Sequence, residues 1–451
     1  MAAMIFTTMT DQATRPSACP GLYRIVPAKD GGLCRLRVPL GRLTAAGARA
    51  VAEAAARHGN GIIEVTNRAN LQLRGIRPTD ETALAALLLG AGLGPRHPET
   101  DDVRNVMIAP TAGLDPRQHL DVRPLAEDLL RHLESDVACR VLSPKFSLLV
   151  DGGESVAVID HPHDIWLAAI DHRKMALGIA GSPPTRPEDT APFIVMPAAD
   201  ALAAATTAIA LFLDEAADDL DIMRFRHLLG RVSRASFFDR LSKRLGLDAN
   251  LGEKARRWRR AVPAALGHVG IRDQKQDGLA IVGAVPVLGR LSPDTLTRLG
   301  GLAATHGDGN LRLTPRQSVM VPGIRREKAG IVVEALEELG LICSPAHPLA
   351  STIACAGSSG CAKGRADTKA DALLLADGLA VGPWVHLSGC ERSCASARVA
   401  EVTLLAAAPG IYDLFVRDAG SGGRFGRAVA GNLGIEEARR HINDLAKVAA
   451  Q

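Results

Sequence analysis

Four cysteines carry the most direct chemical signal. Cys355 and Cys361 form C-x5-C, and 28 residues later Cys390 and Cys394 form C-x3-C. Four thiolates offered by two short loops can wrap a cubane 4Fe–4S cluster from opposite sides. The loop from Ala354 to Lys363 is small and glycine-rich, so backbone N–H groups can approach the sulfurs and offset their negative charge. The second loop, Ser388-Gly389-Cys390-Glu391-Arg392-Ser393-Cys394-Ala395, follows a short apolar run at residues 384–387. Structural zinc and inert buried thiols are the rival readings. Zinc draws its ligands mostly from tighter C-x2-C pairs, so this spacing is off its pattern. Disulfides are not expected: the chain shows no charged, apolar, small-residue leader, which points to a reducing, cytoplasmic setting. Cys19, Cys34, Cys139 and Cys343 are scattered and read as ordinary small apolar residues.

The elements that must position these loops come from a globular chain. Its 451 residues are 47% hydrophobic and 23% charged, enough for two to four domains with real cores. No apolar run reaches the roughly 20 residues that span a bilayer, so no membrane partner is expected. The net charge is +4, and aromatics make up only 3% of the chain. A nucleic-acid partner is not expected, because bases would lack stacking platforms. A small polyanionic ligand fits that balance.

An internal repeat organises the chain. Residues 41–76 align without gaps onto 289–324 at an offset of 248, with 12 of 36 positions identical. Gly41-Arg42-Leu43 matches Gly289-Arg290-Leu291, His58-Gly59 matches His306-Gly307, and Thr66-Asn67-Arg68 matches Thr314-Pro315-Arg316. Each copy reads as an alternating strand (33–39 and 279–286), a helix, a second strand, a polar turn and a third strand. That is a ferredoxin-like α+β half-domain. Fainter similarity continues: 104–109 falls where 351–356 falls, and 146–153 where 385–390 does, with the cysteines in the second copy only.

The expected domains are 19–95 (first half-domain), 100–262 (α/β, without cluster cysteines), 265–345 (second half-domain) and 346–451 (cluster domain), related by a pseudo-twofold axis. One half would carry electrons and the other would help build a substrate cavity at the interface. Residues 181–192 read as a loop and 198–261 as largely helical, ending in Arg256-Arg257-Trp258-Arg259-Arg260, a solvated basic face.

The paired T-N-R and T-P-R turns, followed by C-x5-C and G-C-x3-C, resemble the sulfite/nitrite reductase superfamily over residues 19–400. Within it the chain is closer to the precorrin-3B synthase family through Ala18-Cys19-Pro20-Gly21, Gly360-Cys361-Ala362-Lys363, Ala366-Asp367, Ala370-Asp371 and Ser388-Gly389-Cys390-Glu391-Arg392. The sirohaem reductases carry Cys-Pro-Asn where this chain has Cys390-Glu391-Arg392. The resemblance implies an oxygenase that converts precorrin-3A to precorrin-3B, hydroxylating a ring carbon with O2 and closing a γ-lactone. It also implies a 4Fe–4S cluster, a mononuclear non-haem iron, an electron donor (an NADH-linked reductase or a ferredoxin), and no sirohaem.

A tetrapyrrole fringed by carboxylates calls for arginine, whose planar fork binds carboxylates bidentately. Arg35 and Arg37 alternate on the first strand, Arg68 and Arg316 occupy the paired turns, and Arg74 ends the third strand. Arg104 and Lys145 fall where the resemblance places basic residues aimed at a haem and its anion. The reductases have Lys-x-Lys there, and this chain has Lys145-Phe146-Ser147. For a second iron, His161-Pro162-His163-Asp164 holds the residue types of a facial triad, though a four-residue loop seldom supplies all three ligands. His386, just before the second cysteine loop, is placed to tune a cluster or touch substrate. His58 and His306 read as helix-end residues.

Overall fold

The computed structural model of the chain describes residues 19–217, 219–246, 257–418 and 423–449. The opening residues through Ala18, and Arg256 of the basic run, lie outside them. Four five-stranded sheets organise the described residues. The first runs Val26–Ala28, Gly31–Leu36, Leu71–Ile76 and Ile63–Val65, and is completed by Arg290–Leu291 from the second repeat. The second runs Gly270–Asp273, Leu279–Ala284, Val319–Arg325 and Asn310–Leu313, and is completed by Arg42–Thr44 from the first repeat. Each repeat therefore lends a short strand to the other's sheet, with Arg290 opposite Glu64 and Leu43 opposite Leu311.

The exchange joins the two repeats into one body. Helices Ala45–His58 and Pro293–His306 pack against each other where side chains are small: a Cβ on Gly300 would stand 3.1 Å from both Ala45 O and Ala48 Cβ. A single core runs across both repeats, with Leu36, Leu43, Val51 and Leu71 joined to Leu291, Leu299, Leu311 and Val321. Burial of each such leucine contributes about 2 kcal/mol. The backbone repeats even where it is unusual. Leu40 and Leu288 take φ of 53° and 51°, and Ala69 and Gln317 take 54° and 59°, all at the same offset. Side chains rarely adopt that region, so its recurrence marks a shared turn design.

The other two sheets share one topology. In each, three parallel strands are followed by two antiparallel ones: Val106–Ile108, Leu148–Asp151, His163–Ala169, Lys174–Gly181 and Ile194–Pro197 in one, and Thr352–Ala354, Val385–Ser388, Val402–Ala408, Ile411–Val416 and Arg427–Gly434 in the other. A helix crosses between the first two strands in both, Arg123–Ser135 and Thr368–Ala376, and a longer one follows the last strand, Ala201–Glu215 and Ile435–Ala449.

The stretch expected to be helical over 198–261 holds helices Ala201–Glu215, Phe225–Leu228 and Arg234–Leu245, but residues 258–264 are irregular. The basic run is not simply a solvated face. Arg260 is buried, and Arg259 donates to the carbonyls of Arg186 and Pro187 at 2.7 and 2.8 Å.

Candidate functional site

Strands Thr352–Ala354 and Val385–Ser388 pair in parallel, so the loops carrying Cys355 and Cys390 leave the same C-terminal edge of the sheet. That edge is where open α/β sheets hold their ligands. The Gly389 N–H donates to Cys355 Sγ at 3.2 Å, and Thr368 Oγ1 lies 3.5 Å from the same sulfur. Glycine is required by close approach: at Gly357, with φ of 63°, a Cβ would stand 2.6 Å from Thr368 N. Ser393, between the last two cysteines, is held at φ of 55°, and its hydroxyl donates to Ser396 O at 3.0 Å. Strain of this kind collects at functional loops.

The first half-domain reaches over to clasp these loops. Lys29 Nζ donates to Ser358 O and Arg74 Nη2 to Gly360 O, both at 2.7 Å, and Asn67 Nδ2 donates to Ala395 O at 3.2 Å. Arg365 pairs with Glu391 at 2.6 Å, and Arg424 donates to the Glu391 carbonyl at 2.8 Å. The Cys394 sulfur keeps some solvent contact. Even so, burial and then the neighbouring Cys390, Cys355 and Cys361 push its thiol above the usual range. Four thiolates gathered at one sheet edge would need a cationic centre to offset them. Among the described residues, the group of three or more ligand atoms within 4.8 Å of one another is His132, Asp136 and Cys139.

In the cysteine-free copy, a polar network fills the equivalent edge. Arg260 donates to both carboxylate oxygens of Asp151 at 2.6 and 3.0 Å and to the Glu154 carbonyl at 2.6 Å. Asp115 accepts from the Ser155 N–H and hydroxyl at 2.9 and 2.8 Å. Protein side chains there satisfy the backbone that a cluster would otherwise face. The thiols of Cys34, Cys139 and Cys343 are pushed up to about 12, chiefly by burial, as suits unreactive core residues.

A second group lies beside the cysteines. Arg35 feels Arg37, Cys19 and Cys394 as electrostatic neighbours, and burial lowers its guanidinium. Arg68 is pushed down to about 10 by burial and then by Arg224 and Arg35. Among the described residues its guanidinium has no hydrogen bond or ion pair; the turn instead fixes its backbone, with Arg68 N–H donating to Thr66 Oγ1 at 3.3 Å. His161 and His163 face each other with ring centroids 4.9 Å apart, and all four ring nitrogens lack a partner. Burial, then Arg68 and Arg224, push His161 down to about 3, so it is neutral at pH 7. Asp164 does not complete a triad with them. Its carboxylate accepts from Ser147 N–H, Arg224 and Phe225 N–H at 3.0, 2.6 and 2.8 Å, which occupies both oxygens.

Within this group Arg35 also donates to Gln72 Oε1, at 2.7 and 3.2 Å. The remaining arginines lie elsewhere. Arg37 lies just past its strand and turns onto Asp102 and Asn105 at 3.1 and 3.3 Å. Arg74 and Arg104, expected on substrate, are themselves buried and are instead committed to carboxylates. Arg74 binds Asp30 at 2.7 Å and Glu64 at 3.3 Å, and Arg104 binds Asp101 at 3.4 Å and Glu134 at 3.7 Å. Lys145 is exposed before strand Leu148–Asp151. Arg316 lines a separate cavity. His386 is buried mid-sheet opposite Thr403, and His58 and His306 each end their helix. Arg104→Ala should therefore cost about 3 kcal/mol of stability, since it takes the guanidinium away from the buried Asp101 carboxylate and the partly buried Glu134. Chemical denaturation checks this, and an unchanged midpoint would contradict it.

Sequence reasoning missed Arg224, which comes from a distant segment, and the pairing of the two imidazoles. The H-x-H spacing alone could have suggested that pairing.

A profile described as the nitrite/sulfite reductase ferredoxin-like half domain matches residues 26–91 and 272–339. A second, the nitrite and sulphite reductase 4Fe-4S domain, matches residues 99–248, the copy without the cysteines, and supports an iron–sulfur cluster in the chain. The chain belongs to the nitrite/sulfite reductase superfamily. A chloroplastic ferredoxin–nitrite reductase of Arabidopsis thaliana is 28% identical over 397 residues, 82% of this chain and 66% of the relative. The chain thus spans about two thirds of the length of that enzyme. A precorrin-3B synthase of Sinorhizobium sp is 29% identical over 431 residues, 92% of this chain and 85% of the relative. In fold, the chain matches the solved Mycobacterium tuberculosis NirA protein with a TM-score of 0.72 at 20% identity, over 92% of this chain and 80% of that one. Among the described residues, no helix is long and apolar enough to cross a membrane.

Proposed function

We propose that the chain is an oxidoreductase of the precorrin-3B synthase kind, acting on a carboxylate-fringed tetrapyrrole with O2. The observation that carries this reading is Ser147. Where the reductases place the second lysine of Lys-x-Lys, this serine is buried and its hydroxyl has no partner. At the start of the adjoining strand, His163 and the preceding His161 are neutral imidazoles. A small inorganic anion would lack that grip, whereas a large ligand with its own carboxylates can use Arg68 and Arg35. The near full-length similarity to the Sinorhizobium enzyme supports the same reading.

A 4Fe–4S cluster held by Cys355, Cys361, Cys390 and Cys394 would supply single electrons. One oxygen atom of O2 enters the product as a hydroxyl, and the other leaves as water with two electrons and two protons. The protein's own residues hold the ligand: Arg68 takes a carboxylate bidentately, and Arg35 adds charge beside it. His161 stays neutral because burial, and then Arg68 and Arg224, oppose a positive charge on it, so it offers one N–H and one lone pair to the bound ring. A mononuclear iron, if it serves this reaction, would draw its imidazoles from His161 and His163. The donor is a ferredoxin-type protein, by analogy with the ferredoxin–nitrite reductase relatives, or an NADH-linked reductase.

The second reading is a sirohaem-dependent nitrite or sulfite reductase, favoured by the plant enzymes' similarity over 82% of the chain. Incubation with precorrin-3A, a reductant and isotopically labelled O2 separates the two. The oxygenase reading expects a product with one labelled oxygen atom. Donor oxidation that depends on nitrite or sulfite, with precorrin-3A unchanged, would overturn it. Arg68→Gln removes a charge-assisted contact of about 1.5–3 kcal/mol, so KM should rise by about tenfold or more with kcat little changed. An unchanged KM would remove Arg68 from the site.

A further inference from the structure

Arg316, the repeat partner of Arg68, opens on the opposite side of the pseudo-twofold arrangement. It lines a cavity of about 650 Å3 between the two α/β domains, walled by the segment around Trp166, the linker around His268, and Trp384 with Arg398. None of the four cluster cysteines lines it.

The charges in this cavity do not balance. Five arginines line it against three carboxylates. Asp160 pairs with Arg398, Asp189 accepts from Arg186 at 3.1 Å, and Glu401 accepts from Arg417 at 3.3 Å and from the Trp384 backbone N–H at 2.9 Å. Two guanidiniums remain without a carboxylate partner among the described residues. Arg234 donates to a carbonyl, that of Ile179, at 3.3 Å and stacks on Phe193 at 4.2 Å. Arg316 stacks on Trp384 at 4.0 Å, and Arg398 stacks on the same ring at 3.2 Å. Three buried groups at this wall have no hydrogen-bond partner: Trp384 Nε1, Arg398 Nη2 and His268 Nε2. His268 is only 3% exposed. Burial holds its imidazole neutral, at about 3, and pushes Arg316 down to about 9 against the pull of Glu401, whose carboxylate is already engaged by Arg417.

Orphaned buried donors and uncompensated arginines are costly unless something occupies the space. Ala157, Ile159, Leu266 and Ile353 give the same cavity an apolar floor. We propose that this cavity is a second ligand site, separate from the cysteines, which binds a small organic polycarboxylate with an apolar or aromatic body. Its carboxylates would meet Arg316 and Arg234, and its body would lie along the apolar floor beside Trp166. This site does not depend on which reaction the cysteine side catalyses.

Two of the chain's three tryptophans line the cavity, so binding can be read in tryptophan fluorescence without any assay of activity. The probe is trimesate, a benzene tricarboxylate, titrated into the full chain as isolated. Saturable quenching is expected, with Arg316→Gln and Arg234→Gln each raising the apparent Kd at least about tenfold, the loss of one charge-assisted contact. Arg68→Gln should bind the probe like the parent. Because Arg316 is half-buried and stacked on Trp384, its variant is checked by thermal melting, and Arg234→Gln carries the test if it does not fold. Absence of saturable quenching in the parent, or parent-like affinity in every folded variant, would overturn the proposal.

Discussion

Cys390→Ser should purify without its iron–sulfur colour and without turnover, while far-ultraviolet circular dichroism still reports a folded chain. A serine hydroxyl stays protonated at neutral pH and is a poor ligand for iron, so the cluster loses one of its four anchors. The loop itself should survive, because the atoms that hold it do not involve the sulfur. Ser388 Oγ donates to the Cys390 carbonyl at 2.8 Å, and Arg424 and Arg365 grip the Glu391 backbone and carboxylate. The strand before it, Val385–Ser388, is paired on both sides. Iron content and visible absorbance are the readouts. Full iron and full activity in the variant would refute the cysteine assignment.

Glu64→Gln should produce the largest loss of stability away from the cysteines, about 3 kcal/mol, because it removes the one carboxylate shared by Arg74, Arg290 and the buried Lys369. Glu64 is 7% exposed on strand Ile63–Val65 and meets three segments at once. Arg74 approaches it at 3.3 Å from its own half-domain, Arg290 at 3.1 Å from the exchanged strand, and Lys369 at 3.8 Å from the cluster domain. Lys369 also donates to the carbonyls of Leu288 and Ala354, the latter beside Cys355. One carboxylate therefore ties the two repeats to the floor of the cluster loop.

Burial alone would raise the Glu64 carboxyl, but Lys369, Arg74 and Arg290 outweigh it and hold the group below the usual range. A depressed folded value means the stabilisation is complete above the unfolded pKa of about 4.3 and is lost as the pH falls through the folded one. The gap between parent and variant should thus be full at pH 7 and shrink on acidification below about 4. Urea melts at both pH values check this, and a gap that is small at pH 7 or widens in acid would contradict it.

The parts of this site that were legible in the sequence are those written locally. Cysteine spacing, the glycine-rich loops and the offset of 248 needed no tertiary information, because spacing alone fixes which loop a sulfur sits on. The paired turns were legible as well, and they recur in detail: Thr66 and Thr314 hydroxyls each accept from the arginine two residues on, at 3.3 and 3.1 Å. The strand exchange was not legible, since Arg42–Thr44 and Arg290–Leu291 are too short to show an alternation.

Arginine roles were legible only in part. Arg68 and Arg104 look alike as residues, but a guanidinium's partner is set by chain that returns from far away. Glu134 reaches Arg104 from the next helix, and Asp151 meets Arg260 from 109 positions earlier. Pairing across such separations leaves no local trace, so a buried structural arginine and a ligand-facing one read the same until the fold is seen. The histidine loop failed as a triad for the same reason, because the Arg224 that claims Asp164 lies 60 residues on.

The most direct measurement of the central claim is the absorption spectrum of anaerobically purified protein, before and after dithionite. A bare 4Fe–4S cluster predicts broad charge-transfer absorbance that bleaches on reduction, with no intense macrocycle bands. Sharp, intense sirohaem bands would contradict the oxygenase reading, and a colourless protein containing zinc would contradict the cluster itself.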